Sequence, residues 1–215
     1  MSKKMISIIL NSLVFLLALM GVIFMVCGIQ FMKQQLVLES EGLENFKYFT
    51  VDSNIFVGLT SLVYLIYVFG KKEVPQWLHI LKYMSCVSIL LTFFVTACFL
   101  APASKEFPFV AFYQNSNLFF HLIVPILSGI SFLFFEERKL SFKTTFLGMV
   151  PVAVYAIFYM IPVFQHIENH TVSYHYDFYG FLRAGVMSAF YVVPIVFLAT
   201  YVISFILWFA SCRKQ

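Results

Sequence analysis

Six long apolar runs divide this chain, separated by short polar stretches. They cover roughly Met5–Phe31, Tyr48–Phe69, Leu78–Leu100, Asn117–Phe135, Thr144–Phe164 and Gly185–Ser211. A helix needs about 20 apolar residues to cross the hydrocarbon of a bilayer, and each run meets that length. The runs are solidly apolar rather than alternating, so they predict helices and not the strands of a barrel. The predicted fold class is therefore all-α, a polytopic membrane protein with six transmembrane helices. Lys3 and Lys4 give the first run the basic start of a secretory signal. That run is too long for one and has no small-x-small cleavage site before Gln30, so it reads as a permanent helix. No linker, low-complexity tract or repeat interrupts residues 1–215, which predicts a single domain.

Composition excludes whole classes of function. The chain is 61% hydrophobic and only 11% charged, with a mean hydropathy of +0.90. A soluble domain carries about 45–50% apolar and 25% charged residues, so neither a soluble enzyme nor a disordered chain fits. The net charge of +4 is small and scattered, and no nucleic-acid partner is expected. Basic residues also predict orientation, because they concentrate in cytoplasmic loops. With the N-terminus inside, Lys3, Lys4, Lys71, Lys72, Lys82, Arg138, Lys139, Lys143, Arg213 and Lys214 are cytoplasmic, ten of the fourteen. Lys33, Lys47, Lys105 and Arg183 fall outside. Both termini are then cytoplasmic, helices 2–3 and 4–5 form tight hairpins, and longer outer segments near 32–47, 101–116 and 165–184 cover the outer mouth.

Chemistry enters with the polar residues at membrane depth, which are costly in hydrocarbon and tend to face the bundle interior. Thr50, Asn54 and Gly58 recur at i, i+4 and i+8 on helix 2, with Ser53 and Ser61 near the same stripe, while Asp52 points elsewhere. On helix 4, Asn117, His121 and Ser128 share a face. Both helices run inward, which sets Thr50 about 3 Å and His121 about 6 Å below the outer interface. A hydroxyl and an imidazole thus lie at nearly one depth, with His79 at the opposite end. Each residue also has a plainer role: Thr50 bonded to its own i−4 carbonyl, Asn54 as interhelical glue. His166, His170 and His175 read as solvated loop residues, with a lid or a loose metal site as the alternative. The cysteines Cys27, Cys86, Cys98 and Cys212 lack metal spacing and are expected to fill helix interfaces, although Cys27 and Cys98 could pair. No metal or cofactor is implied. Asn169-His170-Thr171 is a sequon in an outer loop.

The segment Tyr48-Phe49-Thr50-Val51-Asp52-Ser53-Asn54, together with Asn117-Leu118-Phe119-Phe120-His121-Leu122-Ile123-Val124-Pro125, resembles the androgen-induced-gene family of six-helix membrane proteins and its bacterial relatives. Animal members of that family hydrolyse fatty acid esters of hydroxy fatty acids with an intramembrane threonine and histidine. The likeness spans most of the chain in helix number. At residue level it rests on these two stretches and on a Tyr176-Asp177-Phe178 loop. It implies Thr50 as nucleophile, His121 as its base, and a bacterial plasma-membrane location, with a membrane lipid or fatty-acid ester as partner. Beside it, Asn54 is a candidate oxyanion donor, Asn117 and Asp177 are candidate orienting groups, and Ser53, Lys47 and Arg183 are candidate substrate-binding residues. The alternatives are an acyltransferase, a non-catalytic lipid-binding or assembly protein, and a small transporter. The transporter would want an acid or base in mid-membrane, and the polar stripes instead thin out to Gly58, Ser61 and Ser128.

Overall fold

Six helices are long and apolar enough to cross a membrane, which makes the chain an integral, multi-pass membrane protein. They are α1 (Lys3–Val26), α2 (Phe49–Phe69), α3 (Gln76–Leu100), α4 (Ser116–Phe135), α5 (Thr144–Gln165) and α6 (Ala189–Cys212). The computed structural model describes residues 2–32, 42–104, 108–136, 140–168, 171–173, 175–182 and 185–212. A two-residue hairpin follows α5, pairing β1 (Ile167–Glu168) with β2 (Thr171–Val172) antiparallel. Helix α1 stops five residues before its apolar run does. Gly28 turns the chain at φ +64°, Gly28 N–H bonds Met25 O, and Ile29 N–H bonds Phe24 O at 2.8 Å. Those paired bonds are the Schellman ending that a glycine just past the cap permits. Hydropathy does not register it, because Ile29 and Phe31 are still apolar.

Helices α1 to α4 form the close-packed part of the bundle. Gly58 of α2 meets Ala18 of α1, where an added Cβ would lie 3.1 Å from the alanine methyl. Gly21 brings α1 against α4 so closely that a Cβ there would sit 2.6 Å from the Phe120 ring. Small residues at such crossings let two backbones approach, which is how helices gain packing energy without a hydrophobic drive. In α2, α3 and α4 half of the best-spanning window is buried, against 22% in α5 and 17% in α6. The last two helices therefore lean on the bundle more loosely, and the larger cavities lie along that seam.

Two helices widen into π turns, at Thr96–Leu100 of α3 and Phe119–Ile123 of α4. Each ends two residues before a proline, Pro102 and Pro125. A proline has no N–H for the carbonyl four residues back and its ring presses on that carbonyl, so the chain bonds across five residues instead.

The end of the bundle away from Thr50 carries a buried ion pair. Lys82 Nζ lies 2.9 Å from Glu136 Oε1, with both side chains almost fully buried. Lys82 also donates to Asn11 Oδ1, and Ser131 Oγ donates to Glu136 Oε1 at 3.0 Å. The Lys82 ammonium sits 4.7 Å from the centre of the Tyr64 ring, and Tyr64 hydrogen-bonds Ser7. This corrects one sequence-based expectation: Lys82 does not belong to a solvated inner segment but is buried with an acid at the end of the bundle. Glu136 lies just past an apolar run, so its inward turn leaves no mark in the hydropathy. The cysteines are free thiols: Cys86 is buried, while Cys27, Cys98 and Cys212 are exposed rather than filling interfaces.

Candidate active site

Thr50 is the second residue of α2, where Tyr48 begins the helix in an extended conformation. Its backbone carbonyl accepts hydrogen bonds from Ser53 Oγ and Asn54 Nδ2. Its hydroxyl makes none among the described residues, so it is not bonded back to its own helix.

His121 sits within the π turn of α4 and is 1% exposed. Its Nδ1 lies 2.8 Å from the carbonyl oxygen of Phe112, in the short 3₁₀ segment Phe109–Tyr113 before α4. A carbonyl can only accept, so Nδ1 carries the proton and Nε2 keeps its lone pair. The Tyr113 ring braces the imidazole edge-on at 6.4 Å. The loop that carries these residues is fixed by Asn115. It holds a positive φ of 52°, a costly conformation for a residue with a side chain, and its Oδ1 accepts from Phe31 N–H and Met32 N–H at 2.8 Å each.

Thr50 and His121 line one small cavity together with Asn117, Ser116, Tyr48 and Tyr179. It offers about 10 Å³, room for roughly one water. Thr50 and Tyr179 also line a second cavity of about 100 Å³ between α2, α3, α5 and α6, walled by apolar residues such as Leu91, Val95, Val152 and Phe197. Thr50 thus stands in the partition between a polar niche that holds an imidazole and a slot suited to a hydrocarbon chain. A third space, a cleft of about 650 Å³, separates α2 and α3 from α5. Exposed Val154 and Phe158 form its rim, so it opens on the flank of the bundle.

The other predicted site residues divide between this niche and its surroundings. Asn117 lines the niche, one turn before His121. Asn54 lies directly behind it: its amide donates to Thr50 O at 2.8 Å and to Phe120 O at 3.2 Å, tying α2 to α4. Both of its protons are thereby engaged with carbonyls. Ser53 faces the neighbouring helix, 3.0 Å from Thr92 Oγ1. Lys47 lies on the flank cleft with its ammonium 5.4 Å from the Tyr48 and Phe178 ring centres. Asp177 accepts from Tyr159 Oη at 2.5 Å and from the amides of Phe181 and Leu182, so it organises its own loop. The partner on the His121 ring is the Phe112 carbonyl instead. Arg183 and His170 lie outside the described residues.

Three features escape sequence reasoning. Tyr179 reaches the niche from the loop before α6, and its hydroxyl accepts the Phe49 N–H at 2.8 Å. The Phe112 carbonyl is invisible because any residue carries one. The π turn does have a signal, Pro125 four residues after His121. Among the described residues no three His, Cys, Asp or Glu side chains gather to hold a metal ion. His166 instead stacks on Tyr176 with ring centres 3.7 Å apart.

Comparison of the chain with protein-family models, curated proteins and solved structures finds no match.

Proposed function

We propose that this chain is an intramembrane lipid-ester hydrolase with Thr50 as nucleophile and His121 as general base. One observation carries the reading: a threonine hydroxyl with no hydrogen bond among the described residues, in the wall between an apolar slot and the niche of a histidine whose Nε2 keeps its lone pair. A threonine attacks an ester only when a base removes its proton, and a histidine with its other nitrogen anchored is the common means. Apo geometries of such pairs are often long, with the bond tightening once substrate is bound. In the reaction, Nε2 takes the Thr50 proton while Oγ1 bonds to the ester carbonyl carbon. Collapse of the tetrahedral intermediate expels the alcohol, which leaves with that proton. Water, activated by the same nitrogen, then cleaves the acyl-threonine and releases a fatty acid.

The acyl chain lies in the slot between α2, α3, α5 and α6, and substrate arrives from the bilayer through the flank cleft. The location also fits, since ester groups of lipids lie where headgroups meet hydrocarbon, the depth of a helix start. Fatty acid esters of hydroxy fatty acids are the substrate class suggested by the likeness to the androgen-induced-gene family, and a bacterial plasma membrane is the location it suggests. Basic residues favour cytoplasmic termini: with Lys82 taken up inside the bundle, ten minus one leaves nine of fourteen Lys and Arg on that side.

Protein in lipid nanodiscs, offered a panel of fluorogenic and branched fatty-acid esters and a fluorophosphonate, tests the reading. Wild type should turn over at least one ester and carry the phosphonate on Thr50, mapped by peptide mass spectrometry. Thr50→Ala and His121→Ala should each lower turnover by about 10³-fold or more with folding intact. Undiminished turnover in Thr50→Ala, or phosphonate on any residue but Thr50, would overturn it.

A further inference from the structure

A tetrahedral intermediate at Thr50 leaves a negative oxygen that needs a hydrogen-bond donor, and Asn54 has both amide protons on carbonyls. We propose that Tyr179 is that donor, a further catalytic residue whose phenol hydrogen-bonds the oxyanion formed when Thr50 attacks an ester. This rests on the hydrolase reading above.

Three observations converge on it. Tyr179 and Thr50 are the two residues shared by the polar niche and the apolar slot, so a carbonyl carbon within reach of Oγ1 has its oxygen within the same partition. The Tyr179 oxygen already accepts the N–H of Phe49, the residue next to the nucleophile, at 2.8 Å. With an amide on one lone pair, the phenol keeps its own proton. The Tyr155 hydroxyl beside it spends its proton on Lys47 O at 2.6 Å, so the Tyr179 proton rests on Tyr155 and turns to the oxyanion when a carbonyl enters the partition. The ring, finally, is held before substrate arrives. It stacks on Phe181 at 5.2 Å and meets Tyr48 edge-on at 5.9 Å, and the loop behind it is tied by the Asp177 carboxylate to two of its amides. With the ring fixed in this way only the hydroxyl has to turn when charge develops, and losing such a donor typically costs about 10²–10³-fold in rate.

No proton changes hands in this step. The carbonyl π pair moves onto oxygen as the Oγ1–C bond forms, the Thr50 proton goes to His121, and the Tyr179 O–H lends a hydrogen bond until the carbonyl re-forms and the alcohol leaves. The donor must stay protonated, and burial raises the Tyr179 phenol above the ordinary tyrosine value. The titratable groups facing it are Tyr48 just before α2, Asp52 from α2, His121 across the niche, Tyr155 and Tyr159 from α5, and Asp177 from its own loop.

The test compares Tyr179→Phe with wild type and Thr50→Ala in nanodiscs, on the best ester of the panel. Tyr179→Phe keeps the ring stacking and removes the hydroxyl, including the acceptor of the Phe49 N–H, so kcat should fall by about 10²–10³-fold with KM changed less than about threefold. Phosphonylation of Thr50 should slow in parallel. A second arm places a fluorinated tyrosine at 179, which preserves the shape and makes the phenol more acidic. The alkaline limb of kcat should move to lower pH, a shift that a purely structural ring would not produce. Wild-type kcat in Tyr179→Phe, or an unmoved pH profile in the fluorinated protein, would overturn the assignment and leave the hydrolase reading standing. Wild-type turnover in Thr50→Ala would overturn the hydrolase reading itself.

Discussion

At the scale of single residues, the site is defined by which polar atoms are already bonded. The carbonyl of Thr50 holds Ser53 and Asn54, while its hydroxyl holds nothing among the described residues. Replacing an unbonded hydroxyl by a methyl removes no partner and should be nearly neutral for stability. Thr50→Val is therefore expected to change unfolding stability by less than about 0.5 kcal/mol while lowering turnover by about 10³-fold or more. Thermal unfolding and initial rates on one nanodisc preparation check both halves. A large loss of stability would mark Thr50 as a structural residue instead. The same accounting explains what was legible at this scale. Thr50 and His121 stand out because each is a polar side chain in an apolar run. Tyr179 does not, because it sits in an aromatic loop whose arrival at the start of α2 depends on how α5 and α6 lean.

Elements decide where those side chains point. The six spans follow from hydropathy to within a few residues at most ends, since the bilayer sets their length. Their irregularities follow from local chemistry that hydropathy ignores: the Gly28 turn that ends α1 early, and the prolines that open π turns in α3 and α4. His121 lies in one of these turns, which aims its ring at the Phe112 carbonyl. Pro125→Ala restores the missing N–H and allows an ordinary helical turn. Stability should hold or rise, while turnover should fall by about 10²-fold as the imidazole rotates away from Thr50, since an offset of about 1 Å can cost that much. Unfolding temperature and kcat, measured together, separate this outcome from a general loss of fold. A variant with wild-type kcat would show that the turn is incidental to the site.

In the molecule as a whole, the polar interior is split between two ends. Thr50 and Tyr64 are fourteen residues apart on α2, about 21 Å at the helical rise. The far end is held by the Lys82–Glu136 pair and its Asn11, Ser7, Ser131 and Tyr64 partners. Lys82→Met leaves Glu136 charged and uncompensated, which should cost about 3–5 kcal/mol, whereas Lys82→Met with Glu136→Met should recover most of that. Unfolding of the single and double variants, with turnover expressed per folded molecule, checks both statements. The folded fraction should retain wild-type kcat, because neither charge lies near the niche. A further consequence belongs to the flank cleft between α2 and α5. An enzyme that draws its substrate sideways from the lipid encounters it on a surface, so the effective concentration is a mole fraction. Extra inert lipid then competes like a diluent, while extra buffer changes nothing.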